Sequence, residues 1–176
     1  MARTMTLERF SQSYQQDRTD WSASIWAGII AGVVFVVAEM LMVMLFLGQS
    51  PWGPPRMIAA ILLGRDVLPP PADFNALIVL VAMAIHFALS IALGLVLGWI
   101  VHRLNGTSAL LIGIAFGLAI YFINFYLIAP AAFPWFTQAQ NWVSLFAHTL
   151  FGLVLGGAYA MLRKHKPAAM PPAATP

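Results

Sequence analysis

The stretch from Ile25 to Leu47 reads IWAGIIAGVVFVVAEMLMVMLFL and holds a single ionisable residue, Glu39. It is longer and more apolar than a buried core helix requires, and it matches the thickness of a bilayer. Three further apolar runs follow, at about Ala76 to Val101, Ser108 to Ile128 and Trp142 to Leu162. The expected fold is therefore all-α, a four-transmembrane-helix bundle. Only 9% of the residues are charged, where a soluble domain carries roughly a quarter. Cysteine is absent, which excludes a disulfide frame, a thiolate metal site and a cysteine nucleophile.

The chain divides into three parts. Met1 to Ser24 is a polar arm in which Leu7, Phe10 and Tyr14 have the spacing of a weak surface helix, with a frayed tail as the equal alternative. Residues 25–162 form the membrane domain, and residues 163–176 form a basic, then Ala/Pro-rich tail expected to be disordered. The longest connection runs from Gln49 to Asn75. Within it, Pro55 suits the first turn of a short interfacial helix and Gly64 its stop. Arg3, Arg9, Arg18, Arg103, Arg163, Lys164 and Lys166 flank one set of span ends, and only Arg56 and Arg65 lie on the other side. Positive residues stay cytoplasmic, so both termini are expected inside and both Pro/Trp loops outside. Basic residues placed at span ends in this way set topology and form no nucleic-acid patch.

The spans pair up. Gly28, Gly32 and Glu39 of the first match Gly113, Gly117 and Asn124 of the third. The second and fourth share the string GLVLG, at Gly94 to Gly98 and Gly152 to Gly156, while His86 and His148 align in a register one helical turn away. A duplicated two-helix hairpin explains these matches. Chance similarity among common membrane residues is the rival explanation. Each span also has a small-and-polar stripe at helical spacing: Ser144, His148, Gly152, Gly156 and Ala160 in the fourth, and His86, Ser90, Gly94 and Gly98 in the second. Small residues let membrane helices approach closely, and polar ones bond across the seam. The stripes are expected to converge inward.

At ~1.5 Å per residue, Glu39, His86, Asn124 and His148 all fall in the half of the bilayer nearest the Pro/Trp loops. With Ser90 and Ser144 they make the expected outward-facing polar pocket, in which His86 partners Glu39. A carboxylate inside a span costs roughly 3 kcal/mol on insertion scales, so it needs a partner, a proton or water. One reading is a buried hydrogen bond that only fixes helix register. A second is a channel-like or carrier-like site for a proton, cation or small polar solute. A third sets His86, His148 and Glu39 on a metal, or the two histidines on a haem, although the sequence requires no cofactor. No HExxH, CxxCH or GxSxG motif occurs, so an intramembrane enzyme has least support and no residue is assigned as catalytic. Arg56, Arg65 and Asp66 read as a solvated loop ion pair, or as a contact for a headgroup or partner. The partners implied are the lipid bilayer, a second copy, or a larger membrane complex that the protein serves as an accessory subunit.

Pro54-Pro55-Arg56, then His86 followed by Ser90-Ile91, then Gly113/Gly117, Pro134-Trp135 and His148 together resemble the YagU-like bacterial inner-membrane proteins. That resemblance covers roughly Ala27 to Arg163. It implies four spans and a bacterial inner-membrane location. It implies no activity, because the family is functionally uncharacterised.

Overall fold

The computed structural model describes residues 18–163. The surface helix expected around Leu7 to Tyr14 and the tail with Lys164, His165 and Lys166 lie outside them. All regular structure among the described residues is helical. Helix α1 spans Trp21–Leu47, starting four residues before the predicted span because the Asp20 carboxylate accepts from the Ala23 N–H at 3.0 Å and caps it there. Gly48, at φ 62°, ends it in the left-handed conformation that glycine adopts freely. Helix α2 spans Gly53–Leu63 and takes Pro54 and Pro55 into its first turn, where no amide hydrogen is missed. Helices α3 (Ala76–Val101) and α5 (Trp142–Leu162) begin at Asn75 and Asn141, whose side chains accept from the Ile78 and Ser144 amides at 3.1 Å.

Helix α4 covers Gly106–Ala132 and runs four residues past the predicted end of its span. It is α-helical over Gly106–Phe122, π-helical over Ile123–Ile128 and α-helical again over Ala129–Ala132. Proline inside a helix removes a donor and crowds the carbonyl four residues back. The wider turn just before Pro130 makes room for it, so the helix does not stop. Helices α1, α3, α4 and α5 are each long and apolar enough to cross a membrane.

The four spans pack in the spatial order α3, α1, α5, α4, and α3 scarcely touches α4. The small-residue stripes do not all converge on one axis. They close two separate seams. In the α1/α3 seam, a Cβ on Gly28 would stand 2.6 Å from the Ser90 carbonyl oxygen, and one on Gly94 would stand 3.0 Å from Gly28 Cα. In the α4/α5 seam, a Cβ on Gly113 would collide with the Gly152 carbonyl and stand 3.1 Å from Gly156 Cα. A Cβ on Gly117 would collide with the His148 carbonyl, and one on Gly156 with that of Ala109. Backbone lies on backbone, which only glycine permits. Gly28 lies on Gly94 as Gly113 lies on Gly156. The two hairpins therefore pack in the register that aligns His86 with His148, and the GLVLG strings are one turn out of step.

Candidate functional site

The weak contact between α3 and α4 leaves a cavity of about 360 Å³. Its polar wall consists of His86 and Ser90 from α3, Asn124 from α4 and His148 from α5. The rest is apolar, with Phe35 and Phe151 below and Ile58, Ile61, Phe125, Phe133 and Phe136 towards the loops. Leu89 and Ile128 form part of the wall and are also 54% and 44% exposed on the outer surface. The mouth thus opens sideways, between α3 and α4, onto the face that lipid would cover.

Both histidines are buried and fixed at one ring nitrogen. His86 Nε2 donates to the Gly32 carbonyl at 2.9 Å, and His148 Nδ1 donates to the Ser144 carbonyl, one turn back, at 2.7 Å. A carbonyl only accepts, so these bonds set the tautomers and leave the other nitrogen of each neutral ring as an acceptor. Among the described residues the one sealed side-chain polar atom without a partner is Glu39 Oε2. The other nitrogen of each ring belongs to a histidine that lines the cavity. Phe35 lies against both imidazoles, stacked at 5.5 Å from His86 and edge-on at 4.8 Å from His148. The π-helical turn places the Asn124 amide on the wall. Single π turns inside α-helices recur at functional sites.

The predicted pocket is thus partly assembled. His86, Ser90, Asn124 and His148 share one wall, but Glu39 and Ser144 do not line it. Ser144 Oγ donates to Glu39 Oε1 at 2.7 Å across the α1/α5 contact. The expected Glu39–His86 pair does not form, because His86 spends its donor on Gly32. Above Gly32, α3 packs Ile78 and Ala82 on Ala59 of α2, so the same stripe of α1 faces α5 at the level of Glu39. No cluster of three or more histidine, aspartate or glutamate residues suited to a metal occurs among the described residues, and the His86, His148, Glu39 ligand set is not brought together.

The loop residues also depart from expectation. Arg56 is buried, not solvated, and its carboxylate partner is Asp73, not Asp66. Its Nε and Nη1 donate to the Asp73 and Val67 carbonyls, each at 3.1 Å. Arg56 therefore fastens α2 to the segment that leads into α3. Arg65 sits 5.6 Å over the Trp135 ring, and Trp135 Nε1 donates to the Met57 carbonyl at 3.0 Å. The two loops are clipped together above the cavity. Sequence reasoning missed Phe35, Phe125, Phe133 and Phe136 as cavity wall. For Phe125, Phe133 and Phe136 the aromatic runs FINFY and AFPWF were the available signal.

Four apolar helices of spanning length, packed around a lateral cavity, define a multi-pass helical membrane protein. The chain belongs to a family of unknown function, DUF6789, whose model matches residues 20–170. No curated protein and no solved structure matches it.

Proposed function

We propose that this protein is a small inner-membrane binding protein. Its cavity takes an apolar molecule with a small hydrogen-bonding head, drawn from the bilayer through the α3/α4 mouth. The observation that carries this reading is the composition of the wall: phenylalanine and aliphatic side chains, interrupted only by His86, Ser90, Asn124 and His148. Small-ligand pockets have this character, mostly apolar with a few placed polar groups, and begin at about 300 Å³. Two histidine acceptors favour a head that donates, such as a hydroxyl. The charge asymmetry supports cytoplasmic termini, and the YagU-like motifs support a bacterial inner membrane.

The test uses a fluorescent long-chain alcohol titrated into the purified protein in detergent. Saturable binding is expected, weakened about tenfold in His148→Phe, which removes one hydrogen bond of roughly 1 kcal/mol and narrows the site. Binding that is unsaturable, or unaltered in His148→Phe and His86→Phe, overturns the proposal.

A second reading, a carrier or channel for a proton, cation or small polar solute, draws support from Glu39 Oε2, which is sealed in a span without a partner. It predicts ion or proton flux in liposomes that Glu39→Gln abolishes. Flux identical in wild type and Glu39→Gln sinks it. A Soret band, or stoichiometric metal in the purified protein, would instead move the histidines to a cofactor and make the protein an accessory subunit of a larger membrane complex.

A further inference from the structure

A second cleft, of about 460 Å³, lies at the opposite end of the bundle, between the start of α1 and the end of α3. Its walls are Arg18, Thr19, Trp21, Trp99, His102 and Arg103. We propose that it is a binding site for the phosphate headgroup of an anionic phospholipid, separate from the cavity described above.

Three observations point to a lipid and not to a soluble partner. First, the cationic groups sit where the apolar helices end. Arg18 lies three residues before the first residue of α1, and Arg103 two residues after the last residue of α3. That is the depth of the lipid phosphates if these helices span the membrane. Second, the cleft is flanked by Trp21 and Trp99, whose side chains are 53% and 62% exposed. Exposed tryptophan at a span end settles at the headgroup boundary, with the ring towards the acyl chains. A molecule held here thus meets arginine at its head and an apolar surface at its tail. Third, the charged residues of the cleft suit an anion. His102 Nδ1 donates to the Trp99 carbonyl at 2.6 Å, so in the neutral ring Nε2 is an acceptor and the donors for an anion come from the arginines. Arg163 reaches the Val101 and His102 carbonyls at 3.3 Å and answers the negative end of α3. Arg18 and Arg103, both exposed residues, carry the side chain that suits a phosphate, since a planar fork of N–H donors meets two oxygens at once. The anionic lipids of a cytoplasmic leaflet would face this end if the termini are cytoplasmic.

The experiment places the full-length protein in nanodiscs of phosphatidylcholine with a minor fraction of phosphatidylglycerol. It measures co-purified lipid per protein by mass spectrometry and protection of Trp21 and Trp99 fluorescence from an aqueous quencher. Retention of phosphatidylglycerol above its bulk fraction is expected. Arg18→Gln with Arg103→Gln should lower it roughly 30-fold, each basic residue near an anionic surface being worth about fivefold. Phosphatidylcholine retention and the helical circular-dichroism signal, unchanged in the double variant, report that the fold is intact. Arg56→Gln, at the other end, should lower retention far less than the double change. Equal enrichment of phosphatidylglycerol and phosphatidylcholine overturns the proposal, as does undiminished enrichment in the double variant. If inorganic phosphate alone protects the tryptophans and displaces the lipid at matching concentration, the site is for a free anion and the lipid assignment is wrong.

Discussion

The α1/α5 contact is shut and the α3/α4 gap is open, although the two would occupy corresponding places if the hairpins are a doubled unit. If the hairpins were related by an axis along the membrane normal, exchanging α1 with α4 and α3 with α5, the two places would be equivalent. Glu39 on α1 would correspond to Asn124 on α4, and Ser144 on α5 to Ala82 on α3. In the closed place Ser144 donates to Glu39. In the open place the position of Ser144 is filled by Ala82, which has no hydroxyl and is buried against α2. Asn124 meanwhile faces the cavity. The difference teaches that the cavity is an interface left unmade. One half of the molecule spends its polar pair on helix contact, and the other half leaves its polar residue available to a ligand.

The seams hold the comparison in place, so breaking one has the largest expected effect. Gly152→Leu drives a side chain into the Gly113 carbonyl and the Gly117 amide. Overpacking costs typically 1–3 kcal/mol where side chains can yield. Backbone cannot yield, so a loss of about 3 kcal/mol or more is expected, read as failure to recover folded protein or as a large drop in denaturant midpoint. Gly157 is the control. A Cβ there meets only the Leu110 side chain at 3.4 Å, and Gly157→Ala should stay within about 0.5 kcal/mol of wild type. Equal losses at Gly152 and Gly157 would mean that close backbone packing at the seam is not what sets the cost, and helix propensity could not explain them, since both changes replace glycine with a better helix former.

Next comes the closed interface. Ser144→Ala leaves Glu39 with no bonded oxygen inside the span and should cost about 1–2 kcal/mol, near the upper end for polar contacts between membrane helices. Glu39→Gln removes the ionisable group yet keeps an oxygen that Ser144 can reach, so it should cost less or stabilise. A cost for Glu39→Gln larger than that for Ser144→Ala would show that the carboxyl has a partner other than Ser144. Smaller again is Trp135→Phe, which loses one hydrogen bond to the Met57 carbonyl and weakens the Arg65 contact. About 0.5–1.5 kcal/mol is expected, with faster hydrogen exchange in α2 as the sign that the clip over the cavity has loosened.

Much of this arrangement is legible in the sequence, for definite reasons. Hydropathy alone places the four spans, because lipid leaves a backbone few alternatives. The glycine stripes identify the seams, since steps of four residues share a helix face. The register between the hairpins was open: the GLVLG string and the histidines differ by one turn, and only the stacking of Gly28 on Gly94 and Gly113 on Gly156 chooses the histidines. The Glu39 partner was beyond reach from depth. Depth gives height in the membrane but no direction around the helix, and α2 turns α3 away at that height. The four polar residues of the cavity were legible as one pocket, but its sideways mouth was not, because an absent contact between α3 and α4 leaves no mark in either helix.

The smallest stability effect is the most informative about the comparison. Asn124 lies within the π-helical turn, and its side chain makes no hydrogen bond among the described residues. Asn124→Ala therefore removes no internal contact and should change unfolding stability by less than about 0.5 kcal/mol. The same substitution should weaken binding of the long-chain alcohol about three- to tenfold, the worth of one hydrogen bond. Glu39→Ala should do the reverse, lowering stability while leaving binding near wild type, because Glu39 is not on the cavity wall. The two substitutions sit at corresponding positions, so their opposite profiles would separate a contact made from a contact withheld. If Asn124→Ala instead costs as much stability as Glu39→Ala, then α3 and α4 close on each other in the working protein, and the cavity is one state of a bundle that shuts.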